Sequence, residues 1–94
     1  MKARTPESAT RLQQIPNVGP ATEADLLRLG IDCPAKLVGQ DAVDLYRRLC
    51  ELDGQGHDPC VIDVFLAAIH FMETGESRPW HAFTDERRKR VVSG

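Results

Sequence analysis

Ile15-Pro16-Asn17-Val18-Gly19-Pro20-Ala21-Thr22 is the stretch that decides the fold. It follows a short amphipathic run and opens a second helical run that ends at Gly30. Pro16 stiffens the exit from the first run. Asn17 and Gly19 are residue types that accept a positive φ. Gly19 is expected to adopt one, or to lie against a close backbone neighbour. Pro20 suits the first turn of a helix, where its missing N–H removes no hydrogen bond. The reading is helix, tight turn, helix, with the first amides of the second helix facing the turn. Unpaired N–H groups and the helix dipole favour a phosphate there. The candidate phosphate-binding residues are Asn17, Val18, Gly19, Ala21 and Thr22, assisted by Arg11.

Outward from this turn the chain is punctuated for helices. The expected helices are about 6–14, capped by Thr5, then 20–29, a short 34–37, 42–52 capped by Asp41, 59–74 and 85–92 capped by Thr84. Leu26, Leu27 and Leu29 supply the buried side of the second. Gly30, Gly39 and Gly75 are stop signals. Val43, Tyr46, Leu49 and Cys50 share one helical face. Asp58-Pro59 combines a cap residue with proline in the first turn. Beyond it Val61, Val64, Phe65, Ala68, Ile69 and Met72, widened by Ile62 and Leu66, mark the central helix. Residues 76–83 read as a loop. No segment reads as a strand. Leu37-Val38-Gly39-Gln40-Asp41 echoes the first turn, without its prolines, as a degenerate partner that packs rather than binds.

Ninety-four residues make one small domain, expected over 5–92, with flexible ends at 1–4 and 93–94. No apolar run approaches the ~20 residues of a membrane span, and an apolar signal-peptide core is missing. These features predict a cytoplasmic protein with no membrane partner. The three cysteines, Cys33, Cys50 and Cys60, suit reduced thiols better than a disulfide framework. The net charge of −2 is unevenly spread. Residues 1–19 hold three basic and one acidic side chain, 20–76 four and eleven, and 77–94 five and two. The acidic middle works against binding nucleic acid, and the basic ends leave an opening for it.

No Ser-His-Asp or Cys-His-Asn order stands out, so no catalytic constellation is expected. Cys50, His57 and Cys60, with Cys33 or His81, are soft ligand types suited to zinc, but their spacing forms no close knuckle. No metal and no cofactor are expected. His57 reads as a solvated turn residue and His70 as a partly buried, hydrogen-bonded histidine. His81 reads as a packed loop anchor, with stacking on a base as its alternative. Arg87-Arg88-Lys89-Arg90 reads as a solvated helical face, with a grip on phosphate as its alternative. Trp80 is expected to fold back on the core.

The hairpin residues 15–20, with Ala24 and Leu27, resemble the helix-hairpin-helix motif, which holds a DNA backbone phosphate without reading sequence. A longer resemblance covers residues 10–88. The hairpin, Leu29-Gly30-Ile31, Leu45-Tyr46-Arg47-Arg48-Leu49-Cys50, Asp58-Pro59-Cys60-Val61 and Pro79-Trp80 are similar, in that order, to the small bacterial Cdd1 or "pathogenicity locus" family. The first half also resembles the C-terminal domain of TfoX-type competence regulators. Together these imply an all-α, compact five- to six-helix bundle of helix-hairpin-helix or SAM-domain-like type. They imply a non-enzymatic module that binds DNA backbone weakly and nonspecifically. The alternative is a protein–protein interaction domain of the same fold. Asn17 stands where strong DNA binders carry the first turn glycine. Glu23 and Asp25 stand where such binders often carry a lysine, and a carboxylate there repels phosphate.

Overall fold

The computed structural model describes residues 2–93, with side chains through Arg90. Among these residues there is no strand. Four α-helices carry the fold: α1 (Pro20–Arg28), α2 (Ala42–Asp53), α3 (Cys60–Thr74) and α4 (Thr84–Ser93). Four 3₁₀ turns connect or precede them: Pro6–Ser8, Leu12–Gln14, Pro34–Leu37 and Trp80–Phe83. The expected count of five to six helices is therefore four plus single turns. No helix among the described residues is long and apolar enough to cross a membrane.

The core forms around α3. Ile62, Phe65, Leu66, Ala67, Ala68, Ile69 and Phe71 are all buried. A helix apolar nearly all round has to be enclosed. α3 is wrapped by α2, α4 and the 3₁₀ turns Pro6–Ser8, Pro34–Leu37 and Trp80–Phe83. Gly75 ends it with φ 81°. A side chain at that backbone angle is strained.

The expected helix over 6–14 does not form. Ala9 and Arg11 are extended. The reason is a competing acceptor. Gln14 Oε1 takes the amides of Thr10 (2.7 Å) and Arg11 (2.9 Å). An α-helix would need those amides for Pro6 and Glu7. Ala9, Leu12 and Ile15 still reach the core at a threefold spacing.

In α1, Leu26 and Leu29 are buried but Leu27 is half exposed. On α2 the buried stripe is Ala42, Leu45 and Leu49, with Val43 and Tyr46 at its margin. Leu49 is buried as expected, while Ala42 and Leu45 take the buried places expected of Val43 and Tyr46. Tyr46 stays at the edge because its hydroxyl donates to the carbonyl of His57. Asp58 does cap α3, accepting from Cys60 N at 2.9 Å, although the helix begins one residue later than expected. Lys2 and Ala3 are held to the first turn, where Ala3 N donates to Gln14 O at 2.7 Å. Met1 and Gly94 lie outside the described residues.

The largest departure is Asp63, fully buried on α3. Thr84 is not the cap of α4 but its first residue, with helical backbone angles (φ −58°, ψ −42°), and its hydroxyl donates to Asp63 Oδ2 at 2.9 Å. Arg87 Nε donates to Asp63 Oδ1 at 2.8 Å. Arg87 is thus part of the α3–α4 contact, with its side chain 16% exposed, and not of a solvated basic face. Arg90 pairs with Glu86.

Candidate functional site

The strained position of the turn is Asn17, with φ 73°. Gly19 is extended (φ −104°, ψ −173°) and has open space around it. Neither a positive φ nor a close neighbour requires glycine there. Asn17 tolerates the left-handed region, and its side chain is used in holding it there. Nδ2 donates to Arg78 O at 2.8 Å, and Oδ1 accepts from Trp80 N at 3.3 Å. The side chain of Asn17 therefore faces the 78–80 segment.

Val18 is buried. Its amide donates inward to Ile15 O at 3.1 Å, which removes it from the outward set. Gly19 is the N-cap of α1, and Pro20 is its first residue. Gly19 brings no side chain to cap the helix. Glu23 N closes the first turn on Gly19 O at 2.9 Å. Among the described residues, the amides of Gly19, Ala21 and Thr22 have no protein acceptor. Ala21 is exposed.

The carbonyl side of the same turn is closed by a residue that sequence reasoning passed over. Lys2 Nζ donates to Gln13 O (2.6 Å), Ile15 O (3.1 Å) and Val18 O (2.6 Å). Burial lowers its pKa from the ordinary lysine value. An open groove of about 560 Å³ lies alongside, lined by Lys2, Arg11, Gln13, Gln14 and Glu23. Arg11 is exposed there. Gln13 Nε2 holds Glu23 Oε1 at 2.9 Å. The groove thus gathers Lys2 and Arg11 with Glu23 of α1, and Lys2 also reaches Val18 O, just before the first amides of that helix. The basic helix is not gathered with them: Arg90 borders Asp41, Val43, Asp44 and Arg47 of α2.

The other candidates divide differently. Cys33, Cys50 and Cys60 are free and partly buried. Among the described residues, no three of His, Cys, Asp and Glu converge as metal ligands. The Asp58 carboxylate pushes the Cys60 thiol up. His57 is not a solvated turn residue, because its ring bonds Asp53. The Arg28 guanidinium, and then His57, hold the Asp53 carboxyl below its ordinary range. His70 is partly buried and bonds Glu76 at 2.7 Å. The anchor of the 76–83 segment is Phe83. It is buried against the edge of His70 and under the guanidinium of Arg78, 5.2 Å from the ring centre. Trp80 remains 38% exposed, and His81, itself exposed, stands edge-on to it.

Lys2 and Asp63 are the residues that sequence reasoning missed. Asp63 had a signal, a lone carboxylate inside the most apolar run of the chain. Lys2 had none, because its role depends on backbone carbonyls.

Comparison with known proteins shows the family of the chain. The model of the Cdd1 family, described as "Pathogenicity locus", matches residues 5–89. The mitomycin resistance protein McrB of Streptomyces lavendulae is 36% identical over 90 residues, covering 96% of this chain and 85% of that protein. No solved structure matches. The chain belongs to the Cdd1 family.

Proposed function

We propose that this Cdd1-family chain is a non-enzymatic helix-hairpin-helix module that holds a nucleic-acid backbone phosphate at the start of α1. The observation that carries the reading is the set of outward amides at Gly19, Ala21 and Thr22, with no protein acceptor among the described residues. Amides and helix dipole attract an anion, and Lys2 and Arg11 add positive charge in the groove that Glu23 of the same helix lines. Glu23 and the acidic middle of the chain limit affinity. With about one or two phosphates neutralised, duplex binding lies at the weak end of the ~10⁻⁴–10⁻⁶ M range for nonspecific complexes, with a shallow salt slope. The helix-hairpin-helix or SAM-like label and the likeness to TfoX-type regulators belong to this same reading.

Titration of labelled duplex and single-stranded DNA at low and moderate salt tests it. Ala21→Asp puts a carboxylate where the phosphate docks and is expected to abolish binding. Absence of any wild-type binding at low salt refutes the reading. Binding that survives Ala21→Asp moves the site to Arg88 and its neighbours on α4. A second reading, a protein-interaction module, is favoured by one observation. Leu27, Val38, Leu52 and Trp80 are each more than a third exposed on a small domain.

A further inference from the structure

We infer that Lys2 is a positioning residue of the phosphate-facing turn: its ammonium, clasped by Gln13 O, Ile15 O and Val18 O, fixes the backbone that aims the first amides of α1 outward. The inference rests on the proposed phosphate site and adds a residue to it. Three carbonyls that converge on one point turn their negative ends together. Two of the three bonds, to Ile15 O and Val18 O, are part-buried, where a carbonyl without a donor is costly. An ammonium presents three protons on one atom, and here three acceptors lie 2.6–3.1 Å from Nζ. The last of them, Val18 O, immediately precedes Gly19, the N-cap of α1.

Two consequences follow from this place in the chain. The acceptors span residues 13–18, so the ammonium sets the path of the whole turn rather than one bond. It also cancels a negative pole that a phosphate approaching Ala21 and Thr22 would otherwise meet. The other charged groups in the adjoining groove are Arg11 and Glu23, and Glu23 is held by Gln13. Lys2 therefore acts through backbone geometry and field. Its protons are already given to carbonyls, so it makes no direct bond to the phosphate.

The test compares Lys2→Gln, Lys2→Arg and Arg4→Gln in the full chain. Arg4 is an exposed charge two residues away on the same segment. Two readouts are taken: hydrogen exchange of the Val18 amide, and anisotropy of a fluorescent DNA duplex at low salt. Lys2→Gln is expected to speed Val18 exchange about tenfold, as a local opening loses its restraint, while Arg4→Gln leaves it unchanged. Lys2→Arg keeps the charge but not the fit, since a planar guanidinium offers no three-proton apex, and Val18 exchange stays fast. Duplex affinity is expected to fall about tenfold for Lys2→Gln and about twofold for Arg4→Gln. Val18 exchange in Lys2→Gln equal to wild type overturns the inference, whether or not DNA binds. Equal affinity losses for Lys2→Gln and Arg4→Gln also overturn it. Wild-type protein that binds no duplex, with Val18 exchange responding to Lys2→Gln as expected, refutes the phosphate reading alone and retains Lys2 as the residue that shapes the turn.

Discussion

The first turn, around Asn17, and its echo around Gly39 solve the same backbone problem with opposite charges. Each has a left-handed residue before a helix: Asn17 at φ 73° and Gly39 at φ 84°. At the second turn, anions from the chain itself occupy the amides. Asp41 Oδ1 accepts from Val43 N (2.9 Å) and Asp44 N (3.1 Å). Glu73 Oε2 accepts from Gly39 N at 2.8 Å. At the first turn the N-cap is a glycine, no carboxylate reaches the amides of Ala21 and Thr22 among the described residues, and a cation fills the carbonyl side. One turn is sealed by its own carboxylates. The other leaves the equivalent amides open. That contrast inside one chain indicates what kind of group fits the open site.

The largest effect is expected at α3, against which the second turn packs and the 78–83 segment is anchored. Asp63→Ala would leave Arg87 mostly buried without its carboxylate. Breaking a buried ion pair on one side costs about 3–5 kcal/mol. Chemical denaturation is expected to show this loss, with both turns affected together. A cost under about 1 kcal/mol would assign the pair a surface-like value.

Opening the sealed turn is a smaller change. Asp41→Ala removes the acceptor of two helix amides and is expected to cost about 1 kcal/mol. The midpoint of denaturation should fall while DNA binding holds, because the first turn is untouched. Closing the open turn is smaller still in stability but decisive for binding. The extended backbone at Gly19 suits a capping residue, so Gly19→Asp is expected to stabilise by a few tenths of a kcal/mol. The same carboxylate would then occupy the phosphate position and remove duplex binding. Unchanged binding in that variant would break the contrast between the two turns.

The smallest effect concerns the far ends of the same two helices. Asp53 on α2 is paired with Arg28 on α1 and with His57. Its carboxyl is held below the ordinary value of 3.8, first by Arg28 and then by His57. A depressed carboxyl stabilises the fold above its unfolded pKa, and the contribution is lost as pH falls through the folded value. Melting temperature followed from about pH 5 to about pH 2 should therefore decline less steeply in Arg28→Ala than in wild type.

Helix punctuation was legible in the sequence because it depends on local chemistry. Gly30, Gly39 and Gly75 all take positive φ, and Asp41 and Asp58 cap where their side chains suggest. The central place of α3 followed from its wide apolar face, from Val61 to Met72. The rest depended on partners distant in sequence. Leu27 and Leu29 look equivalent, yet only Leu29 meets the core. Residues 6–14 have a helical pattern, but Gln14 takes two of the required amides. Within the candidate site, the open helix start was readable from Gly19-Pro20-Ala21. Which residue bears the backbone strain was not, because Asn17 is held by carbonyl and amide groups of 78–80. A substitution that relies on glycine being required at 19 has no basis: Gly19→Val meets open space and an ordinary backbone angle.

The bonds from Asn17 to Arg78 and Trp80 also fix an order in time. They join residues 61 and 63 apart in the chain, and contacts of that separation form only after a long loop has closed. During synthesis, the chain through Trp80 must leave the ribosome before the first turn can take its final shape. The part of the molecule proposed to meet nucleic acid is thus finished by a segment translated 61 to 63 residues later. A chain cut short before Arg78 would contain every residue of the first turn and still lack the turn as it stands here.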